Sequence, residues 1–225
     1  MKQKPFIFGV SMILFFSSST SFLSYPKTRQ IKTKNTLKIT VDSIESEYYI
    51  HIPENLTSGA PLVMVFHGYS GTALNTMQTT KFKELADQKR FAVCYPQGLL
   101  DKEGNAFWQV GYAFHKKIKV NDIKFVKKLL EKIRLEYQLS KTNIFMTGFS
   151  NGGDFCNLLS CETTDMFRAT APIISCFMEE FYDTCPSANS IPTLLLNGTK
   201  DPITLWSGDK TKTPKAKVLI YLLRR

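Results

Sequence analysis

From residue 36 to residue 202 the apolar positions switch between alternation, short unbroken runs and steps of three and four. Thr36–Val41 and Glu47–Ile52 alternate and predict two strands, with Asp42-Ser43 as the turn between them. Leu62, Val63, Met64, Val65 and Phe66 form an unbroken run within Pro61–His67, the pattern of a strand buried on both faces. Phe82, Leu85 and Ala86 predict a helix over Thr79–Lys89, and Phe91–Tyr95 a further short strand. Pro96–Lys119, with Gly98, Gly104, Trp108 and Gly111, has the composition of a loop. The clearest helix begins at Asn121 or Asp122, either of which can cap it, and runs to Gln138 with Ile123, Val126, Leu130, Ile133 and Tyr137 on one side. A strand over 143–147, a helix over 151–161 and strands over 169–174 and 192–196 complete the pattern. Strands alternating with helices predict an α/β fold, a mostly parallel central sheet with helices on both faces.

Neither end continues this pattern. Lys2 and Lys4 precede the apolar run Phe6–Phe16, and small polar residues follow over Ser17–Ser24, so residues 1–24 read as a signal peptide. The run is shorter than the ~20 residues of a membrane-spanning helix. Residues 25–36 form a basic leader expected to be flexible, 37–207 the folded domain, and 208–225 an atypical basic tail. Within that tail Lys and Thr dominate 209–217 and Val218–Leu223 is apolar, which suits either a last strand with a charged end or sequence foreign to the domain. The expectation is a secreted, extracellular protein (the periplasm being the other exported compartment) that meets a membrane only through its signal segment during export.

Charge and cysteines narrow the function. The formal charge is +10, but residues 1–40 carry seven basic and no acidic residues, and 209–225 carry six basic and one acidic. Subtracting these from 29 basic and 19 acidic residues leaves 16 and 18 across 41–208, a net of −2. The body therefore lacks the basic surface that nucleic acid would require, and no nucleic-acid partner is expected. Five cysteines in an exported chain allow two disulfides. Cys176–Cys185 is the preferred pair, Cys156–Cys161 the second, and Cys94 in its apolar strand reads as a buried thiol. No Cys/His spacing suggests zinc, so neither metal nor cofactor is expected.

The chemistry is carried by two motifs. Gly148-Phe149-Ser150-Asn151-Gly152 is a G-x-S-x-G sequence directly after a predicted strand and before a predicted helix. In that setting the serine sits on a strained turn, with glycines where side chains would collide, and its hydroxyl stands above the sheet as a nucleophile. The Asn151 amide, at a helix N-terminus, is one candidate oxyanion donor. His67-Gly68-Tyr69-Ser70-Gly71 follows the central apolar strand, and the Tyr69 amide is the candidate second donor. His67 precedes Ser150 at a strand end, where an oxyanion loop belongs rather than a base, and reads as structural. Asp201, after the apolar run Leu194-Leu195-Leu196 and Asn197-Gly198-Thr199, is the candidate acid, with Asp209 a weaker one. His115 reads as a surface loop residue and His51 as a strand residue.

Taken in order, His67-Gly-Tyr-Ser-Gly71, Tyr95-Pro-Gln-Gly98, Trp108, Val120–Phe125, Gly148–Gly153 and Asn197–Pro202 resemble one family. It is the secreted polyhydroxybutyrate depolymerase and feruloyl/acetylxylan esterase family of α/β-hydrolases, and the resemblance covers residues 37–207. It implies hydrolysis of carboxylic esters in polyester or in feruloylated or acetylated plant polysaccharide. By position it implies Ser150 as nucleophile, Asp201 as acid, an oxyanion loop at Gly68-Tyr69, and a substrate site shaped by Gly68, Trp108 and Asp122. The family's base lies in a Gly-His-x-Trp-like loop past the acid, whereas the three histidines here, His51, His67 and His115, all precede Ser150. The C-terminal part of the fold is therefore expected to be missing from these residues. Without a base Ser150 is an ordinary alcohol, and removing a triad member costs on the order of 10⁴ to 10⁶ in turnover. The competing expectation is a non-catalytic glycan- or ester-binding protein that keeps the cleft. A serine peptidase on the same fold is disfavoured by the single-domain length.

Overall fold

The computed structural model describes residues 36–163, 165–178, 181, 184–185, 191–208 and 216–217. The segment expected to be a signal peptide, the basic leader up to residue 35, the weaker candidate acid Asp209 and Val218–Leu223 lie outside the described residues. Strands β1 (Leu37–Val41) and β2 (Ile44–His51) form an antiparallel hairpin. Its turn residues Asp42 and Ser43 both have positive φ, 50° and 65°, the combination whose twist matches that of the flanking strands. Strand β2 pairs antiparallel with β4 (Ala92–Pro96), while β3 (Leu62–Phe66), β5 (Ile144–Phe149) and β6 (Ala169–Ile173) continue the sheet in parallel. The order across the sheet is β1-β2-β4-β3-β5-β6.

Residues 192–196, anticipated as a strand, run beside β6. Thr193 bridges Thr170 and Leu196 bridges Ile173, both in parallel. A short ribbon of β7 (Phe177–Met178) and β8 (Ala216–Lys217) stands apart from the main sheet.

The central strands divide their side chains between two cores. Leu62, Met64 and Phe66 of β3, Cys94 of β4, and Ile144 and Met146 of β5 pack with α3 (Asp122–Glu136) and α4 (Asn151–Glu162). Val65, Val93 and Tyr95 point the other way, towards α1 (Ala73–Thr79) and α2 (Phe82–Lys89). The unbroken apolar run in β3 is thus the mark of a strand covered on both sides. The helix expected over 79–89 is α2. A separate α1 precedes it, with Thr72 Oγ1 accepting from the Asn75 amide and Thr80 extended at its end. Beyond Phe149 the α1/α2 side continues across β6 through Ala169, Ala171 and Ile173 to the exposed Leu194 and Leu196.

Two expectations are corrected here. The disulfide joins Cys161 at the end of α4 to Cys185, not Cys176 to Cys185 or Cys156 to Cys161. Cys156 points into the core, and the Cys176 backbone is fastened to α4 by its amide, which donates to Asp154 Oδ1 at 2.7 Å. Cys94 is buried, as its apolar strand suggested. His115, read as a surface residue, is 1% exposed, because Phe107, Tyr112 and Phe114 of its own loop pack their rings against it.

Candidate active site

Strand β5 ends at Phe149 and α4 begins at Asn151, leaving Ser150 alone to turn the chain. It does so at φ 52° and ψ −120°, a conformation that an L-residue adopts only under strain. The turn is pinned by the Ser150 amide, which donates to Ile173 O at 2.9 Å, and by Ser150 O, which accepts from the Asp154 amide at 2.8 Å. A Cβ at Gly148 would lie 2.3 Å from Gly152 O, and one at Gly152 would lie 2.4 Å from His67 O. Glycine at these two positions is therefore a condition of the turn. Ser150 is exposed, and its hydroxyl makes no hydrogen bond among the described residues.

The loop after β3 lies against this turn. A Cβ built on Gly68 would stand 3.1 Å from Phe149 O and 3.6 Å from Ser150 Cβ. The loop is held by the Gly71 amide on Gly68 O (3.0 Å) and the Ser70 amide on Ala106 O (2.8 Å). The backbone amides of Tyr69 and Asn151, the two candidate oxyanion donors, have no hydrogen-bond partner among the described residues. His67 is buried with both ring nitrogens engaged. Its Nδ1–H donates to Gly68 O at 2.8 Å, and its Nε2 accepts from the Gly98 amide at 2.9 Å. Burial pushes its imidazole below the ordinary histidine range.

Beneath the turn lies a fully buried brace. Asn151 Oδ1 accepts from the Trp108 amide (2.7 Å), and Asn151 Nδ2 donates to Trp108 O (3.0 Å). The Trp108 indole N–H donates to His67 O at 3.0 Å, and its ring stacks on Phe155 with centroids 4.9 Å apart. Trp108 was anticipated in the substrate site, but its side chain is 0% exposed and supports the site from below. Asp122 is enclosed in the same way. It is buried, its Oδ2 accepts from the Gln109 amide at 2.8 Å, and burial pushes its carboxyl up to about 6 against the pull of that bond. Of the three residues anticipated there, Gly68 stands at the turn itself.

Asp201 follows the segment beside β6. Its Oδ1 accepts from the amides of Ile203 (2.8 Å) and Thr204 (2.7 Å). Asn197 straps the same loop to the one after β6, with Oδ1 accepting from the Ser175 amide (2.9 Å) and Nδ2 donating to Ser175 O (2.7 Å). Asp201 thus emerges at the carboxyl edge of the parallel strands, the edge that carries Ser150. No hydrogen bond joins the two.

Two buried carboxylates, Asp101 and Asp154, escaped the sequence reading. Asp154, one turn into α4, accepts from the Tyr112 phenol (2.5 Å) and the Cys176 amide (2.7 Å). Burial pushes it up to about 6, opposed by those hydrogen bonds. For Asp154 the available signal was an acidic residue in the first turn of a helix whose one other charged residue, Glu162, stands at its last position.

A strained serine between strand and helix, on a mixed, mostly parallel sheet with helices on both faces, defines the α/β-hydrolase fold. Solved esterases share it. Acetyl xylan esterase from Aspergillus awamori superposes with a TM-score of 0.56 at 20% identity, over 70% of this chain and 57% of its own. A thermostable esterase superposes with a TM-score of 0.59 at 19% identity, over 76% and 48%. The family described as esterase PHB depolymerase matches residues 47–207, and the chain belongs to that family. Among its relatives, a bifunctional acetylxylan esterase/xylanase of Neocallimastix patriciarum is 23% identical over 70% of this chain and 22% of its own length. Feruloyl esterase B of Piromyces equi is 24% identical over 77% and 32%. Poly(3-hydroxyalkanoate) depolymerase C of Paucimonas lemoignei is 20% identical over 94% and 53%. The chain spans between 22% and 53% of the length of these three relatives.

Proposed function

We propose that this chain is an exported carboxylic-ester hydrolase that acts through Ser150 on polyester or on feruloyl or acetyl esters of plant polysaccharide. The observation that carries the reading is the strained Ser150 turn packed against the Gly68 loop, with the amides of Tyr69 and Asn151 unpartnered. The names of the relatives supply the substrate classes, and the Cys161–Cys185 disulfide supports an oxidising compartment.

In the proposed reaction Ser150 Oγ attacks the ester carbonyl while a base removes its proton. The oxygen that gains charge is stabilised by the two amides. Collapse expels the alcohol and leaves an acyl-serine, which water then hydrolyses. Asp201 orients the base and stabilises its cation. Within residues 1–225 no histidine is positioned for the base's role. His51 bonds Asp87 Oδ1 at 2.7 Å, His67 is committed on both nitrogens, and His115 is enclosed by aromatic rings. Added imidazole should therefore raise turnover. The test is hydrolysis of p-nitrophenyl acetate by wild type and Ser150→Ala over a range of imidazole concentrations. A wild-type excess that saturates with imidazole supports the reading, and equal rates in the two proteins refute it. The uncommitted Ser150 hydroxyl favours the second reading, a non-catalytic glycan- or ester-binding protein. It predicts saturable binding of an esterified oligosaccharide with no Ser150-dependent turnover.

A further inference from the structure

The side chain of Tyr69 is tied to a buried acid–imidazole pair outside the proposed triad. The Tyr69 phenol donates to Asp101 Oδ2 at 2.6 Å, and Asn105 Nδ2 donates to the phenol oxygen at 3.1 Å. The other oxygen of Asp101 accepts from the amides of Glu103 (3.0 Å) and Asn105 (2.8 Å). His115 Nε2 lies 3.4 Å from Asp101 Oδ2, and the side chains of this pair are 1% and 0% exposed. The imidazole is walled by Phe107 and Phe114, at centroid distances of 4.0 and 4.3 Å, and its Nδ1 is buried without a partner. Facing Asp101 therefore fixes both the tautomer and the orientation of the ring.

We propose that Asp101, held by His115, is a positioning residue for the oxyanion loop, acting through the Tyr69 phenol to set where the Tyr69 amide stands beside Ser150. A buried carboxylate must have its acceptor sites filled, so it fixes its donors strongly. Three of the four donors facing it belong to the loop over 101–115, and the fourth is the phenol of the residue after Gly68. The Gly68–Gly71 turn has few other ties. Ser70 holds Ala106 O and Asn105 Oδ1, residues of the same loop. The oxyanion geometry is thus referred to the segment around Asp101 rather than to β3 alone.

The inference rests on the reading of Tyr69 as an oxyanion donor, and its test separates the two. Amide exchange by NMR on the whole chain would follow Ser70 and Gly71, whose hydrogen bonds report the order of the loop. Hydrolysis of p-nitrophenyl acetate with imidazole would follow kcat and KM. Tyr69→Phe should lower protection of both amides about tenfold. It should lower kcat by ~10 to 100-fold with KM unchanged, the size expected for a displaced rather than deleted oxyanion donor. His115→Gln, which can still donate to Asp101, should retain more kcat than His115→Leu. Unchanged protection in Tyr69→Phe, or a loss carried wholly by KM, overturns the inference. If wild type shows no Ser150-dependent turnover the hydrolase reading falls, and amide protection alone then decides whether Asp101 holds the loop.

Discussion

Replacing Ser150 by glycine and by alanine separates the strain of the turn from the chemistry of the hydroxyl. Both variants lose Oγ, which makes no hydrogen bond among the described residues, so that loss cancels between them. They differ in Cβ, which at φ 52° and ψ −120° has to be held in an unfavourable conformation. Such a residue costs on the order of 1–3 kcal/mol, and glycine is free of that cost. Glycine in turn adds about 0.5–1 kcal/mol of unfolded-state entropy relative to alanine. Ser150→Gly should therefore be more stable than Ser150→Ala by about 1 kcal/mol, within a span of about 0–2.5 kcal/mol, a few degrees in Tm for a domain of this size. At an ordinary helix or strand position the order would be reversed. Urea unfolding followed by tryptophan fluorescence, with the disulfide intact, measures the difference. Ser150→Gly below Ser150→Ala in stability would refute the claim that strain is stored at this residue.

Three further outcomes follow from the same geometry. Asn151→Ala leaves the Trp108 amide and carbonyl buried without partners and should cost about 2–5 kcal/mol of unfolding free energy in urea. Cys185→Ser opens a closure of 24 residues and should lower stability by about 3.5 kcal/mol in the chain-entropy treatment, read as a fall in the urea midpoint. Asp122 is pushed up to about 6, above the ~3.9 of an unfolded aspartate, so the folded chain keeps a proton that the unfolded chain releases between those values. Its stabilising contribution is full below about pH 4 and lost as pH rises through 6. Asp122→Asn, which keeps an oxygen for the Gln109 amide, should thus match wild type near pH 4 and exceed it at pH 7.5 in urea midpoint.

The legible parts of this chain are those with a local cause. The run over Leu62–Phe66 and the steps along α3 announce which faces are buried, and Gly148 and Gly152 announce a turn without room for side chains. Long-range choices left no such mark. Trp108 and Asp122 carry motif-like positions, but only the packing of Phe155 and Gln109 against them shows that they support the site from beneath. His115 lies in a polar, lysine-rich stretch, yet Phe107, Phe114 and Tyr69 fold around it. The pairing of Cys161 with Cys185 depended on how α4 meets the segment after β7, which spacing along the chain does not encode. The break between α1 and α2 was equally hidden, since it consists of Thr80 turning extended while its amide and hydroxyl both still donate to Thr76 O, with no change of period to announce it.

The central claim is that Ser150 is the nucleophile of an esterase. Its most direct test is to incubate wild type and Ser150→Ala with a fluorophosphonate in imidazole buffer and to map the modified peptide by mass spectrometry. The account predicts a phosphonyl adduct on Ser150 that is absent from Ser150→Ala. A wild-type protein left unmodified, or one labelled equally in the variant, would contradict it.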